Sequence, residues 1–192
     1  MKENDWTESI CKKLSPFLKK HSLEANTLQK IPYAQEINCY KKDWDIDQDD
    51  MTTTAFETDL VIYERTDEKI IPRVIIEAKI GNVTTHDAIT YSYKAEKHKT
   101  ITPYLRYGIM LGDRKEYPLP GRLYRHGTNF DFMFSFTGTD PTRKEWNSFV
   151  EMLQNEVKYS RLMEEMLRDS RFKNRKKYYM LQKQLILKEF WE

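Results

Sequence analysis

TDLVIYER at residues 58–65 and IIPRVIIEAKI at residues 70–80 flank the polar turn Thr66-Asp67-Glu68-Lys69. Both runs are rich in β-branched side chains, so they predict two antiparallel strands of one hairpin. Pairing across a hairpin keeps the sum of partner positions constant, and a turn centred near Glu68 sets Asp59 opposite Glu77. Alternation along the second strand puts Glu77 and Lys79 on one face, with Ile76 and Ala78 on the other. Three polar residues, Asp59, Glu77 and Lys79, therefore converge at one end of an otherwise apolar ribbon. Charges directly after Val74-Ile75-Ile76 violate the local pattern, and strand interiors rarely carry unpaired charges without cause; the alternative is an exposed Glu77–Lys79 pair at a strand end with Asp59 capping the turn before its own strand.

Before the hairpin, Asp43-Trp44-Asp45-Ile46-Asp47-Gln48-Asp49-Asp50 reads as an acidic loop, and Ile31, Tyr33, Gln35, Ile37 and Cys39 alternate as a strand within Lys30 to Lys42. Trp6, Ile10, Leu14, Phe17 and Leu18 recur at helical spacing. Asp5 with Glu8 has capping-box spacing, so a first helix is expected from near Asp5, kinked or restarted at Pro16. After the hairpin, Gly81-Asn82 ends the strand, and Thr84 with Asp87 caps a helix running to about Lys99 along Ala88, Tyr91, Ala95 and His98. Leu105 to Leu111 reads as a buried strand. Phe130, Phe132, Phe134 and Phe136 alternate as another, with one aromatic face. Asp140-Pro141 opens a helix with the stripe Trp146, Phe149, Val150, Leu153 and Val157, and a further helix is expected from about Lys176 through Tyr178, Leu181, Leu185 and Ile186. This order predicts an α/β sandwich in one domain, residues 1–192, with a core to about 140 and a helical C-terminal extension over 141–192.

At 192 residues, 39% hydrophobic and 32% charged, the chain suits a single globular core. The net charge of +2 does not by itself indicate a nucleic-acid binder. Basic residues nevertheless gather at Lys94, Lys97, His98, Lys99 and Arg106, and again over Arg171 to Lys177. An acidic metal end beside such patches would suit a phosphodiester. Cys11 and Cys39 form no metal-binding pattern and read as ordinary thiols. The histidines, His21, His86, His98 and His126, show no HxH or HExxH spacing, and no P-loop is present, so no ATP dependence is expected. With no long apolar run and a polar beginning, the expected location is cytoplasmic, without membrane insertion.

The convergent residues suit phosphodiester hydrolysis. The substrate's negative charge repels a nucleophile, and further charge builds on its oxygens in the transition state. Mg²⁺ binds hard oxygen ligands and keeps positions open for water and phosphate. Asp59 and Glu77 would serve as carboxylate ligands, Ala78 through its backbone carbonyl, and Lys79 would hold or deprotonate the attacking water.

Asp59 at the start of one hairpin strand, Glu77-Ala78-Lys79 at the end of the next, then a helix and another strand, together resemble the PD-(D/E)XK nuclease superfamily, most of all its type II restriction endonucleases. The resemblance spans roughly Asn26 to Leu111, with Asp5 to Lys20 as the leading helix; Thr58 stands where the family usually has proline. It implies a restriction-endonuclease-like mixed central β-sheet flanked by helices. It also implies Mg²⁺-dependent cleavage of double-stranded DNA leaving 5′-phosphates, with Mn²⁺ as a substitute metal, and a homodimer, here through the helices after Asp140. An additional acidic residue from the first helix often assists in this family; Glu8 is the candidate, with Glu36 second.

For DNA, the helix after the catalytic strand offers Thr85, His86, Tyr93, Lys94 and Lys97, the two lysines for phosphates. The Pro- and Gly-containing loop Pro118 to Asn129 offers Arg122, Arg125 and Asn129 for base edges. Arg106 could reach DNA or an acidic neighbour. Competing expectations are a repair, recombination or transposon-associated nuclease, and a noncatalytic DNA-binding protein of the same fold.

Overall fold

The hairpin lies at the centre of a five-stranded sheet in the computed structural model, ordered β1-β2-β3-β4-β5; the structure describes residues 1–116, 118–182 and 185–189. The strands are β1 (Glu24–Ile37), β2 (Met51–Arg65), β3 (Ile70–Ile80), β4 (Arg106–Gly112) and β5 (Phe132–Ser135). The helices are α1 (Glu3–Lys20), α2 (Thr85–Ile101), α3 (Gly121–His126) and α4 (Arg143–Asp169). β1, β2 and β3 pair antiparallel, whereas β3, β4 and β5 pair parallel. The result is the mixed central sheet flanked by helices that the family resemblance implies.

Leu60 pairs with Ile76, Val61 with Ile75 and Ile62 with Val74, the register expected for a turn centred at Glu68. Towards the turn the register then shifts by one, so that Tyr63 pairs with Pro72 and Arg73 is the extra residue. A bulge beside proline is physically consistent, because Pro72 has no N–H for the ladder. Arg73 is buried and ion-paired with Glu64 at 2.6 Å and with Glu164 of α4 at 2.7 Å, while its Nε has no hydrogen-bond partner among the described residues.

Alternation divides the sheet into two faces. Leu60, Ile62, Val74, Ile76, Ala78 and Met110 face α1 and α4, where they pack with Trp6, Ile10, Leu14, Phe149, Leu153 and Val157. Each such fully buried apolar side chain contributes about 1.5–3 kcal/mol. α4 therefore belongs to the main core instead of being an appendage to it. Val61, Ile75 and Tyr107 face α2, as do Ile109 and Leu111, which meet Ala88 of α2 and Leu123 of α3. Gly108 is required where β4 passes β5, since a Cβ there would lie 2.4 Å from the Phe132 ring.

Several local expectations are corrected. α1 begins at Glu3 behind an N-cap Lys2 that makes no side-chain cap, so Asp5 and Glu8 form no capping box. Glu3 and Asp5 instead complement the helix dipole in the first turn, and the helix continues through Pro16. β1 starts earlier than Lys30 and ends at Ile37, leaving Cys39 in the following loop. α4 is capped by Thr142 in a reciprocal box with Glu145, not by Asp140. Pro118 to Asn129 is not all loop, because Gly121–His126 closes as α3 over α2 and β4. Of the aromatic alternation, Phe132, Phe134 and Phe136 enter the α1/α4 core, while Phe130 packs on the opposite face. The helix expected from Lys176 is absent among the described residues, where Tyr178, Leu181, Leu185 and Ile186 are exposed. A helix gains most of its stability by burying its apolar face, and the described apolar residues of this segment stay exposed. Residues 183, 184 and 190 to 192 lie outside the described residues. No helix is long and apolar enough to cross a membrane among the described residues.

Candidate active site

β2 and β3 separate where the polar residues cluster. Their ladder ends at Leu60 and Ile76, yet β3 continues beside β4 to Ile80 and Gly112, and β2 continues beside β1 to Met51. On the side of β3 that β2 has left, two carboxylates take the freed backbone donors. The Ala78 N–H donates to Asp59 Oδ2 at 2.7 Å, and the Ile80 N–H donates to Glu3 Oε2 at 3.1 Å. Lys79, between them in sequence, places Nζ 3.8 Å from the same Glu3 oxygen. Asp59 is thus fixed beside Glu77, as expected, whereas the acidic residue that α1 bonds to β3 is Glu3.

Glu8 makes no hydrogen bond or ion pair to this network among the described residues, although it shares a crevice with Asp59. It pairs with Lys12 at 3.6 Å and lines a narrow crevice with Asn4, Thr7, Thr27, Leu28 and Asp59. Leu28 lies across from Asp59, between the pairs Thr27–Leu60 and Gln29–Thr58, and its φ of 55° is left-handed. For a leucine this conformation costs on the order of 1–3 kcal/mol, a strain that concentrates at functional sites. Glu36 is exposed and pairs with Thr52 close to the hairpin end, away from Asp59. The acidic loop lies beyond that end, nine positions from Asp59 at its nearer edge, or about 30 Å along a strand. It contributes no ligand to the cluster.

Glu77 is 1% exposed. Burial first, and the neighbouring Asp59 charge second, push its pKa up from 4.5 to about 7. It is held by the Tyr107 hydroxyl, which donates to Oε1, and by Lys94 Nζ at 3.4 Å from the same oxygen. Burial and the Glu77 charge push the Tyr107 pKa well up, so the phenol keeps the proton it donates. His98 stacks on Tyr107 with ring centroids 5.5 Å apart, and its Nδ1 lies 3.1 Å from the Pro32 carbonyl. A carbonyl only accepts, so Nδ1 carries the proton; burial pulls the His98 pKa down to about 4 and keeps the ring neutral.

Asp59, Glu77 and the Ala78 carbonyl are hard oxygen donors, and the mutual repulsion of two close carboxylates would be relieved by a divalent cation. Oxygen donors of this kind suit Mg²⁺ or Mn²⁺, with two side-chain carboxylates and a carbonyl as the donor set; no group of three or more His, Cys, Asp or Glu side chains placed to hold a metal occurs among the described residues. The Lys79 side chain is 27% exposed and shares the Glu77 face, where its ammonium could meet a water or phosphate oxygen.

The other expected residues fall into separate groups. Thr85 and His86 are exposed on the first turn of α2, behind the reciprocal Thr84–Asp87 cap. Tyr93 is exposed, with the Lys97 ammonium 5.0 Å above its ring. Lys94 is turned inward to Glu77. Arg125 is exposed, but Arg122 donates to the Val83 carbonyl at 2.8 Å, and Asn129 bonds Ser92 and Glu96 of α2. The patch expected around Lys99 and Arg106 is largely neutralised: both bind Asp131, at 2.7 and 2.9 Å, Arg106 also binds Glu156 at 2.6 Å, and His98 is buried. Sequence reasoning missed Glu3 and Tyr107; a lone phenol inside the buried run LRYGIML was the available signal for Tyr107.

No family model and no curated protein matches the chain. Among solved structures it is similar to the pre-specific restriction endonuclease BsaWI in its complex with DNA. The identity is 14% and the TM-score 0.44, over 81% of this chain and 61% of that one. The chain thus spans less than two thirds of the length of the enzyme it matches.

Proposed function

We propose that this chain is an endonuclease that hydrolyses phosphodiester bonds of double-stranded DNA with Mg²⁺, as a sequence-specific type II restriction enzyme leaving 5′-phosphate ends. The observation that carries the reading is the buried Glu77 beside Asp59, with Lys79 on the same face, where β2 and β3 part. In this reading Asp59, Glu77 and the Ala78 carbonyl hold the metal. Bound there, Mg²⁺ would supply positive charge to the phosphate and acidify a water. Lys79 would hold that water through its ammonium, whose charge also offsets charge developing on the phosphate, and Glu3 aims the lysine. Tyr107 fixes the Glu77 carboxylate in orientation. The N-terminus of α2, with Thr85 and His86, faces the DNA backbone, and Tyr93, Lys97 and Arg125 extend that surface. Lys94 joins it when released from Glu77, while Arg122 and Asn129 hold α3 and its following loop in place for base contact. A homodimer would supply two such sites for two strands. The inner stripe of α4 is buried within its own chain, so that contact would use the outer face bearing Tyr159 and Leu162.

A noncatalytic DNA-binding protein of the same fold is favoured by one observation: Lys79 and Lys94 are each already paired with an acid. The experiment that separates the readings incubates mixed-sequence duplex DNA with the protein in Mg²⁺ or EDTA, with Lys79→Ala alongside, and sequences the fragment ends. Discrete Mg²⁺-dependent cuts lost in the variant are expected. Cutting confined to branched or damaged DNA would indicate a repair or recombination nuclease, and tight binding without cuts the noncatalytic reading.

A further inference from the structure

Glu77 is buried beside a second carboxylate, and a site of that kind needs a counter-charge. Lys79 approaches Glu3, whereas Lys94 reaches from α2 to lie 3.4 Å from Glu77 Oε1. The same Lys94 ammonium has partners besides that carboxylate. It lies 5.6 Å from the centre of the Phe56 ring, 5.4 Å from that of Tyr91, and 3.4 Å from the Glu57 carbonyl. Phe56 is itself backed by Tyr33, stacked at 3.7 Å. The ammonium therefore has an aromatic and carbonyl resting place that does not depend on Glu77.

We propose that Lys94 is the resident counter-ion of the Asp59 and Glu77 pair, and that a divalent cation displaces it from Glu77 outward past the Phe56 and Tyr91 rings that already flank it, freeing an ammonium for the DNA phosphate. This rests on the metal-binding reading above. A cation about 2 Å from a Glu77 oxygen would sit close to an ammonium still paired with that group. Repulsion between a double and a single charge in a buried setting exceeds the attraction that held the lysine. Its flexible stem lets Lys94 move where a bidentate arginine would resist.

The test needs no DNA. The protein is acetylated briefly with acetic anhydride, with and without Mg²⁺, and labelling of Lys94 is read by mass spectrometry against exposed Lys30. Calorimetry on the same samples reports whether Mg²⁺ binds. Labelling of Lys94 should rise by roughly threefold or more on Mg²⁺ binding. In Glu77→Gln, a near-isosteric change, it should be high already and unmoved by Mg²⁺. Unchanged or reduced labelling while Mg²⁺ binds overturns this inference and leaves the metal reading standing. Low labelling in Glu77→Gln also overturns it, because packing would then be what shields the lysine. No Mg²⁺ binding removes both readings.

Discussion

α4 and α2 cover opposite faces of one sheet with different materials. α4 buries Phe149, Leu153 and Val157 against Trp6, Ile10, Leu14 and the apolar faces of β2 and β3. α2 buries Ala88, Ser92, Ala95 and His98, a stripe of small and polar groups. Large interlocking side chains give the α4 face its stability. The small stripe lets α2 lie close to the sheet while leaving room for Glu77, Tyr107 and Lys94. One molecule thus keeps a dry core on one side of β3 and a polar, strained site on the other, a division by which local rule-breaking can be tolerated where chemistry is needed.

Four experiments would break or sharpen that contrast, in descending order of expected effect. Lys79→Ala should lower Mg²⁺-dependent cleavage by roughly a thousandfold or more, while shifting the melting temperature little because its ion pair is partly exposed. Initial rates and thermal melts would check both halves, and a variant that cuts normally would remove Lys79 from the mechanism. Phe149→Ala should do the reverse, costing about 3–5 kcal/mol in urea unfolding through the cavity it leaves. Cleavage per folded molecule should stay close to that of the parent.

The third experiment uses pH on the metal-free protein. Glu77 titrates at about 7 when folded against 4.5 normally, so the folded state retains a proton the unfolded chain has released, and stability falls as pH rises through that window. His98 titrates at about 4 against 6.5, so the unfolded chain takes up a proton first, and stability falls as pH drops through its window. The slopes oppose each other between 4.5 and 6.5. Relative to the parent, Glu77→Gln should therefore lose stability on acidification and His98→Phe on alkalinisation. Denaturant midpoints at stepped pH would show this, and equal slopes in both variants would contradict the environments assigned to these groups.

The smallest effect separates two acids of α1. Glu3→Ala frees Lys79 and leaves the Ile80 N–H without its carboxylate, so cleavage should fall about tenfold. Glu8→Ala, whose partner is the exposed Lys12, should change the rate less. The opposite ranking would move the working part of the site to the crevice beside Leu28.

Residues whose positions follow from short-range rules were legible in the sequence. The shared face of Glu77 and Lys79 follows from strand alternation alone, whereas the register that brings Asp59 beside Glu77 also needs the one-residue bulge at Arg73, which a constant sum across the turn does not contain. The Thr84–Asp87 cap is likewise a contact between residues three apart, and the structure contains it. The Asp5–Glu8 pattern has the same spacing and no cap, because the helix had already begun at Glu3. A spacing rule states what a cap requires and leaves open where the helix starts.

By itself, then, the sequence determined the hairpin and the shared face of Glu77 and Lys79, because both depend on strand periodicity and one local turn, while the mixed sheet was what the family resemblance implied. Only the tertiary structure decided that Tyr107 and Lys94 hold Glu77, that Glu3 and not Glu8 bonds β3, and that the acidic loop lies far from the site. Those contacts join residues brought together by parallel crossovers and helix packing, whose geometry is set by how whole faces bury one another. The helix expected from Lys176 failed for the same reason: its apolar stripe was written in the sequence, but the surface to cover it was not.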